Sequence, residues 1–359
     1  MTGADIGCRG PASSVPQPPD GGTGPSAWMG DAIRREIASA RGVCGIGAGR
    51  EDVPAAYPKQ YERLFARIRV RGGRPSPVSP ITPAMPPYIR SRFDVLVRFF
   101  QTLPGPLPDT EFDIYLGDGF DRWSKPAARP VFAFSKHAAG DAAALLLPDP
   151  LSIRDAAVFA ADVADGNRRF PWPEKRAIAF WRGSTTGAHF ATDRPFRNVR
   201  LRLVEIAAER PDLIDAKITG FHPTCPPPVR ELIEGLGYRG PAVGLAEHMR
   251  CKYLPLLDGF TSPWPRFHWG MFGSSVLFKQ CSGLVGWFDA GVSAGEHFVP
   301  IAADLSDLCE RIVAAGDADG DMQRIAGNAQ AFAAAHLSIE KMRAYTAALI
   351  EAYAGAFDA

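Results

Sequence analysis

Cysteine is sparse and scattered in this chain. Cys8, Cys44, Cys225, Cys251, Cys281 and Cys309 form no Cys-x-x-Cys pair and have no histidine cluster beside them. That spacing excludes a zinc ribbon or finger and reads as six reduced, structural thiols. An excess of charge of either sign is also missing: 40 basic and 39 acidic residues leave a formal net charge of +1. With both signs interspersed, the whole chain has no long-range attraction to nucleic acid or to an anionic membrane. No apolar run is long enough to cross a bilayer. The first thirty or so residues lack the basic stretch followed by an apolar run that marks a secretory signal. A cytoplasmic protein that binds no nucleic acid is expected, with peripheral membrane contact through a local patch left open. There is no internal repeat and no His-Glu-x-x-His motif. His137, His189, His248, His268 and His297 stand alone and read as hydrogen-bonded structural residues. Asp317-Ala-Asp319 has the carboxylate spacing of some metal–diphosphate sites, but it lies in an Asp- and Gly-rich connection between two expected helices and reads as a solvated loop. No metal is expected.

What the chain does have is length, and a regular alternation of elements. At 359 residues it exceeds a single compact core, so two domains with a cleft between them are expected. Residues 1–30, rich in Gly, Pro and Ser, read as a disordered tail. Helices are expected over 31–41, 53–69, 90–103 and 153–165, with a looped, Pro-rich stretch over 72–87. Strands are expected at 111–118, 130–135 and 145–148, then at 177–181, 213–218, 253–258, 275–278 and 297–301. Further helices are expected at 196–210, 246–253, 266–273, 305–314, 322–336 and 339–354, and 223–244 reads as irregular. Strands that alternate with helices and end in Gly or polar residues imply parallel sheets with ligands at the strands' carboxyl ends.

Three segments could carry chemistry. In Phe180-Trp-Arg-Gly-Ser-Thr185, Gly183 permits a tight turn, Ser184 and Thr185 offer donors to phosphate oxygens, and Arg182 supplies a cationic fork. The same letters also describe an ordinary turn with a solvated Arg. In Leu257-Asp-Gly-Phe-Thr-Ser-Pro-Trp-Pro-Arg-Phe267, an apolar strand ends at Gly259, a hydroxyl-rich loop follows, and Arg266 opens a helix whose first N–H groups are unpaired. That is a diphosphate site, or a helix capped by its own Ser262 or Thr261. Asp118 follows an apolar strand, with Gly117 leaving room for a close ligand, and could take a proton from an attacking hydroxyl. Alternatively, Asp118 and Asp121 cap a turn.

These segments, with Glu247-His-x-x-x-Lys-Tyr-Leu254, Trp264-Pro-Arg-Phe267 and Gly273-Ser-Ser-Val-Leu-Phe278, resemble glycosyltransferase family 90 in order and spacing from about Pro86 to the C-terminus. The family contains capsule-associated xylosyltransferases, protein O-glucosyltransferases and bacterial lipopolysaccharide glycosyltransferases. The resemblance implies an α/β, GT-B-like fold of two facing Rossmann-like domains. Its acceptor-side domain would span 31–165 and its nucleotide-sugar-binding domain 166–337, with a C-terminal helix, 338–359, packing back on the first.

It also implies a UDP-sugar co-substrate, glucose or xylose, with no metal or other cofactor. The acceptor would be a glycan, a lipid-linked saccharide or another small molecule. Arg182, Gly183, Ser184, Thr185, Lys252, Tyr253, Gly259, Ser262, Arg266 and Phe267 fall to the donor pocket. Asp118 falls to the general base of an inverting displacement. Ser135 and Lys136, in Phe132-Ala-Phe-Ser-Lys136, fall to the acceptor side. Where the family reads Arg-Gly-Ser-Arg this chain has Arg182-Gly-Ser-Thr-Thr, so one cationic contact is missing or comes from Arg194 or Arg197. A retaining transferase, one using another nucleotide sugar, or an inactive binding protein of the same fold remain alternatives.

Overall fold

The computed structural model describes residues 26–44, 64–78, 85–119, 129–140, 142–187 and 195–358. The tail up to residue 25, most of the helix expected over 53–69, and Asp121, His189 and Arg194 lie outside the described residues. The rest divides into two compact units. One is drawn from Gly10–Ala156, Gly283–Val292 and Ala335–Ala359, the other from Ala157–Ser282 and Ser293–Ala334.

The N-terminal unit runs through α1 (Ala27–Val43), β1 (Phe65–Arg71), β2 (Arg74–Pro77), α2 (Pro87–Phe100), β3 (Thr110–Tyr115), β4 (Val131–Ala133), β5 (Lys136–His137) and β6 (Ala144–Leu146). Its sheet has the order β2-β1-β3-β4-β6. β3, β4 and β6 are parallel, while β1 is antiparallel to both β2 and β3. The helix expected to reach Arg69 is therefore overturned from Phe65 onward. Ile68 and Val70 are buried at a two-residue period, which matches the pleat of a strand and not the turn of a helix. At the alternate positions Arg67 and Arg69 stand opposite Asp113 and Glu111. Arg67 donates to both Asp113 oxygens at 2.8 and 2.9 Å, and Arg69 to Glu111 Oε2 at 2.7 Å. The hairpin into β2 needs the left-handed conformation at Gly72 and Gly73, with φ of 54° and 77°.

The helix α3 (Pro150–Arg169) begins in the N-terminal unit and from Ala157 belongs to the C-terminal unit, where it leads into β7 (Arg176–Ser184). Then come α4 (Val199–Glu209), β8 (Ile214–Gly220), α5 (Pro227–Gly235), α6 (Leu245–His248), β9 (Cys251–Leu256), α7 (Arg266–Met271) and β10 (Val276–Gln280). β11 (Leu284–Val285) belongs to the N-terminal unit and pairs with β5. β12 (Val299–Ile301), α8 (Leu308–Asp317) and α9 (Asp319–His336) complete the second unit. Its sheet, β12-β10-β9-β7-β8, is parallel throughout. All five strands therefore end at one edge, with Ala179, Trp181, Tyr253, Val276 and Phe278 in the core beneath.

The last helix, α10 (Ile339–Phe357), packs along α1 in the N-terminal unit. Its Tyr345 hydroxyl donates to Leu146 O at 3.0 Å. Tyr353 lies 5.3 Å from the Phe132 ring.

Several expected boundaries move. The turn expected over 182–187 is strand as far as Ser184, in register with Lys217, Ile218 and Gly220 and with an irregularity between Gly183 and Ser184. The helix expected over 246–253 stops at His248, and Lys252 and Tyr253 lie in β9. The irregular stretch 223–244 contains α5, opened by prolines in its first turn, where no amide hydrogen is needed. Cys44, Cys225, Cys251 and Cys309 are free. Cys281 is disulfide-bonded, which departs from the reading of six reduced thiols.

Just before β7, Lys175 is 5% exposed. Its ammonium donates to Met249 O and, at 3.1 Å, to Ser275 Oγ. Burial pushes its pKa down to about 8, below the ordinary lysine value of about 10.4. Between those two values the unfolded chain holds the proton that the folded one has released, so stability rises with pH across that window. Relative to Lys175→Met, the wild type should gain on the order of 3 kcal/mol between pH 8 and 10.4. Urea denaturation across that range checks this, and parallel curves for the two proteins would contradict it.

Candidate active site

At the carboxyl end of β7, side chains alternate across the sheet. Phe180, Arg182 and Ser184 share one side; Trp181 and Gly183 share the other. A Cβ on Gly183 would stand 2.4 Å from Trp181 Cζ2. The glycine is there to admit the indole ring, not to make a turn. Arg182 lies with its guanidinium carbon 4.4 Å from the Phe180 ring centre. Its Nη2 meets Asp215 Oδ1 at 2.7 Å, and its Nη1 donates to Asp215 O and Trp181 O. Its Nε is buried without a partner.

Two further guanidinium groups approach the Trp181 ring, Arg200 at 5.9 Å and Arg266 at 5.8 Å. Arg200 was not singled out from the sequence. It sits in the first turn of α4, where Asn198 accepts from the amides of Arg200 and Leu201. From there it reaches Asp258 O at 2.9 Å, Ser184 O at 3.2 Å, Leu257 O at 3.4 Å and Thr186 Oγ1. The ends of β7 and β9 are thereby tied to one cation.

Arg266 donates to Arg182 O at 2.5 Å. Burial, and then the charge of Arg200, pulls its pKa down to about 9. Arg200 falls to about 10 through burial, partly offset by Asp258. Burial together with Arg266 keeps His248 neutral, with its pKa near 3. Burial first and the neighbouring Arg200 charge second lower the basicity of Arg266, so this edge is short of negative charge, which an anionic ligand would relieve.

Gly259 completes this edge. A Cβ there would come within 3.1 Å of Arg200 Nη2 and of Thr186 Oγ1. Ser262 and Thr261 are buried, and the Thr261 hydroxyl has no partner. The N-cap of α7 is Pro265, with no side-chain capping bond, and the unpartnered Thr261 hydroxyl does not cap that helix. Thr185 is buried, and its hydroxyl accepts from His222 N at 2.9 Å. Phe267 is buried, 6.3 Å from the Phe298 ring. Tyr253 is packed against Phe278 in the core, and burial raises its hydroxyl to about 12. Lys252 sits toward the amino end of β9, away from the strand ends. Its ammonium meets Asp319 Oδ1 at 2.6 Å and lies 4.9 Å from the Trp172 ring. The strand-end edge thus gathers Arg182, Gly183, Ser184, Gly259, Arg266 and Arg200, while Lys252 and Tyr253 lie elsewhere in the unit.

In the N-terminal unit, Asp118 follows β3 and accepts from Arg92 Nη2 at 2.6 Å. A Cβ on Gly117 would lie 2.4 Å from the Tyr115 ring, so the room this glycine leaves is taken by Tyr115. Ser135 is fully buried. Lys136 is bonded to Glu36 Oε2 at 2.6 Å and to Ala144 O at 2.8 Å, pinning α1 to β6. Among the described residues, no group of three or more His, Cys, Asp or Glu is placed to hold a metal ion. None of their helices is long and apolar enough to cross a membrane.

The family model for glycosyl transferase family 90 matches residues 89–358. The chain belongs to that family. Among curated relatives, human protein O-glucosyltransferase 3 is 30% identical over 53% of this chain and 34% of its own length. The rat protein O-glucosyltransferase 3 is 29% identical over 69% of this chain and 47% of its own. Human protein O-glucosyltransferase 1 is 26% identical over 73% and 67%. This chain therefore spans between a third and a half of the type 3 relatives. Two solved structures of Anabaena HepE, one with UDP-glucose and one with UDP, share 16% identity and a TM-score of 0.40 over 60% of this chain and 62% of theirs.

Gly183→Ala would displace the Trp181 ring on which Arg200 and Arg266 lie. It should cost about 1–3 kcal/mol of stability through overpacking. Urea denaturation reads this directly, and an unchanged midpoint would show that the ring has room to move.

Proposed function

We propose that this family 90 protein transfers a sugar from a UDP-sugar to an acceptor hydroxyl, using the carboxyl edge of the β7–β10 sheet to hold the diphosphate. The observation that carries this is the pair of partly buried guanidinium groups, Arg200 and Arg266, beside Arg182 at the strand ends. Such fixed donors stabilise charge that develops on a leaving group without reorganising. Glucose is the favoured sugar, from the protein O-glucosyltransferase relatives, with xylose next. The acceptor class is a glycan, a lipid-linked saccharide or another small molecule, with lipopolysaccharide assembly in the cytoplasm as the setting.

The chemistry is a single displacement. Asp118 takes the proton of the acceptor hydroxyl as its oxygen bonds to the anomeric carbon. The bond from that carbon to the UDP oxygen breaks, and the arginines receive the departing diphosphate. One inversion results. The charge-stabilising work falls to arginines, so turnover is expected to persist in EDTA.

A panel of UDP-glucose, UDP-xylose and UDP-galactose, assayed for UDP release with and without EDTA, tests the reading. Release from none of them, with no UDP binding by calorimetry, would overturn it. Loss of release in EDTA, restored by Mn²⁺, would overturn the arginine-only account. Arg266→Ala should weaken UDP binding about 10- to 100-fold, the worth of one charge-assisted phosphate contact. Unchanged affinity would remove Arg266 from the donor site. Asp118→Asn keeps the side chain's shape and removes its basicity. Turnover should fall roughly 10²–10⁴-fold with UDP affinity unchanged, and near-normal turnover would leave the displacement without a named base.

A further inference from the structure

The proposed base is not alone on its loop. Arg92 projects from α2 between the buried residues Ile89, Phe93 and Leu96, which fix the helix against the sheet. Its side chain is 16% exposed. Nη1 donates to Leu116 O at 2.9 Å and Nη2 to Asp118 Oδ1 at 2.6 Å. One planar group therefore holds both the backbone two residues before the carboxylate and the carboxylate itself. The guanidinium carbon lies 5.4 Å from the ring centre of Tyr88, one helical turn earlier.

A second carboxylate belongs to the same arrangement. Asp149 is buried and accepts from the amides of Leu151 and Ser152 at the start of α3. Burial raises its pKa to about 6, and the positive charge of Arg92 acts against that rise. Arg92 is thus set by a helix face, an aromatic ring, a backbone carbonyl and the field of a buried carboxyl. An exposed ion pair between two mobile side chains contributes little; a guanidinium held in this way has paid its ordering cost before any substrate binds.

We propose that Arg92 is the positioning residue for Asp118, fixing where the carboxylate stands when it accepts the proton. The inference rests on the reading of Asp118 as base. It goes further in assigning a role to a residue that no motif marks. A misplacement of about 1 Å in a reacting group costs on the order of 10²-fold in rate. That sets the size of the effect.

The test uses the full chain and UDP release from UDP-glucose, with thermal unfolding measured on each variant. Arg92→Gln should lower kcat about 100-fold while leaving the donor KM within twofold. Arg92→Lys keeps the charge but cannot span Leu116 O and Asp118 together, so it should recover part of the loss and settle about tenfold below wild type. Arg92→Gln introduced into Asp118→Asn should cost little more than Asp118→Asn alone, because two residues acting through one proton transfer are not additive.

A folded Arg92→Gln protein with kcat within threefold of wild type overturns the proposal. So does a loss of kcat accompanied by an equal loss of donor affinity, or a full additional loss in the double variant. Should Arg92→Gln fail to fold, Arg92→Lys decides, and wild-type kcat there overturns the spanning role. Asp118→Asn separates the two levels: if it is inactive while Arg92→Gln is normal, only the Arg92 role falls. If Asp118→Asn is itself active, the base assignment falls.

Discussion

The guanidinium of Arg200 donates to the carbonyls of Ser184, Leu257 and Asp258, and the strand-end geometry of the C-terminal unit is arranged around that set of bonds. A strand's last carbonyls are acceptors that no further ladder satisfies, and buried acceptors must find a donor somewhere. In two adjacent strands the same side chain answers that need. The cost is a cation partly withdrawn from water. Arg266, which donates to Arg182 O, adds a second positive charge that Arg200 disfavours, while Asp258 partly offsets the first.

How much of this was legible in the letters depends on the range over which each residue acts. The strands of the parallel sheet were readable because each is a short apolar run closed by Gly or a polar residue, a pattern imposed by burial on both faces. Arg182 and Arg266 were readable because each stands beside a glycine or a loop that ends such a run. Arg200 carried no comparable mark. An Arg near the start of a helix reads as solvated, and only the packing of α4 on the sheet turns it toward carbonyls more than fifty residues away. Arg92 escaped for the same reason.

The strand β1 was misread because Tyr57, Tyr61, Leu64, Phe65 and Ile68 fall at helical spacing. The two-residue alternation that matters starts only at Phe65, and its charged positions make sense only once Glu111 and Asp113 are placed opposite. Gly117 and Gly183 were read as room for a ligand and as a turn. Each instead accommodates the ring of the aromatic residue two positions earlier.

The hairpin that closes the N-terminal sheet has an effect beyond its own unit. Val78 N donates inward to Arg67 O, so by the alternation of a strand Ser76 also turns its amide toward β1, while positions 75 and 77 turn theirs outward. Both outward positions are proline. The outermost strand of the sheet therefore presents no amide hydrogens along its free side at these two positions. A further strand, whether from a second copy or from an unfolded chain, finds no donors there to register against, and the molecule is guarded at this edge against growth of the sheet into an aggregate.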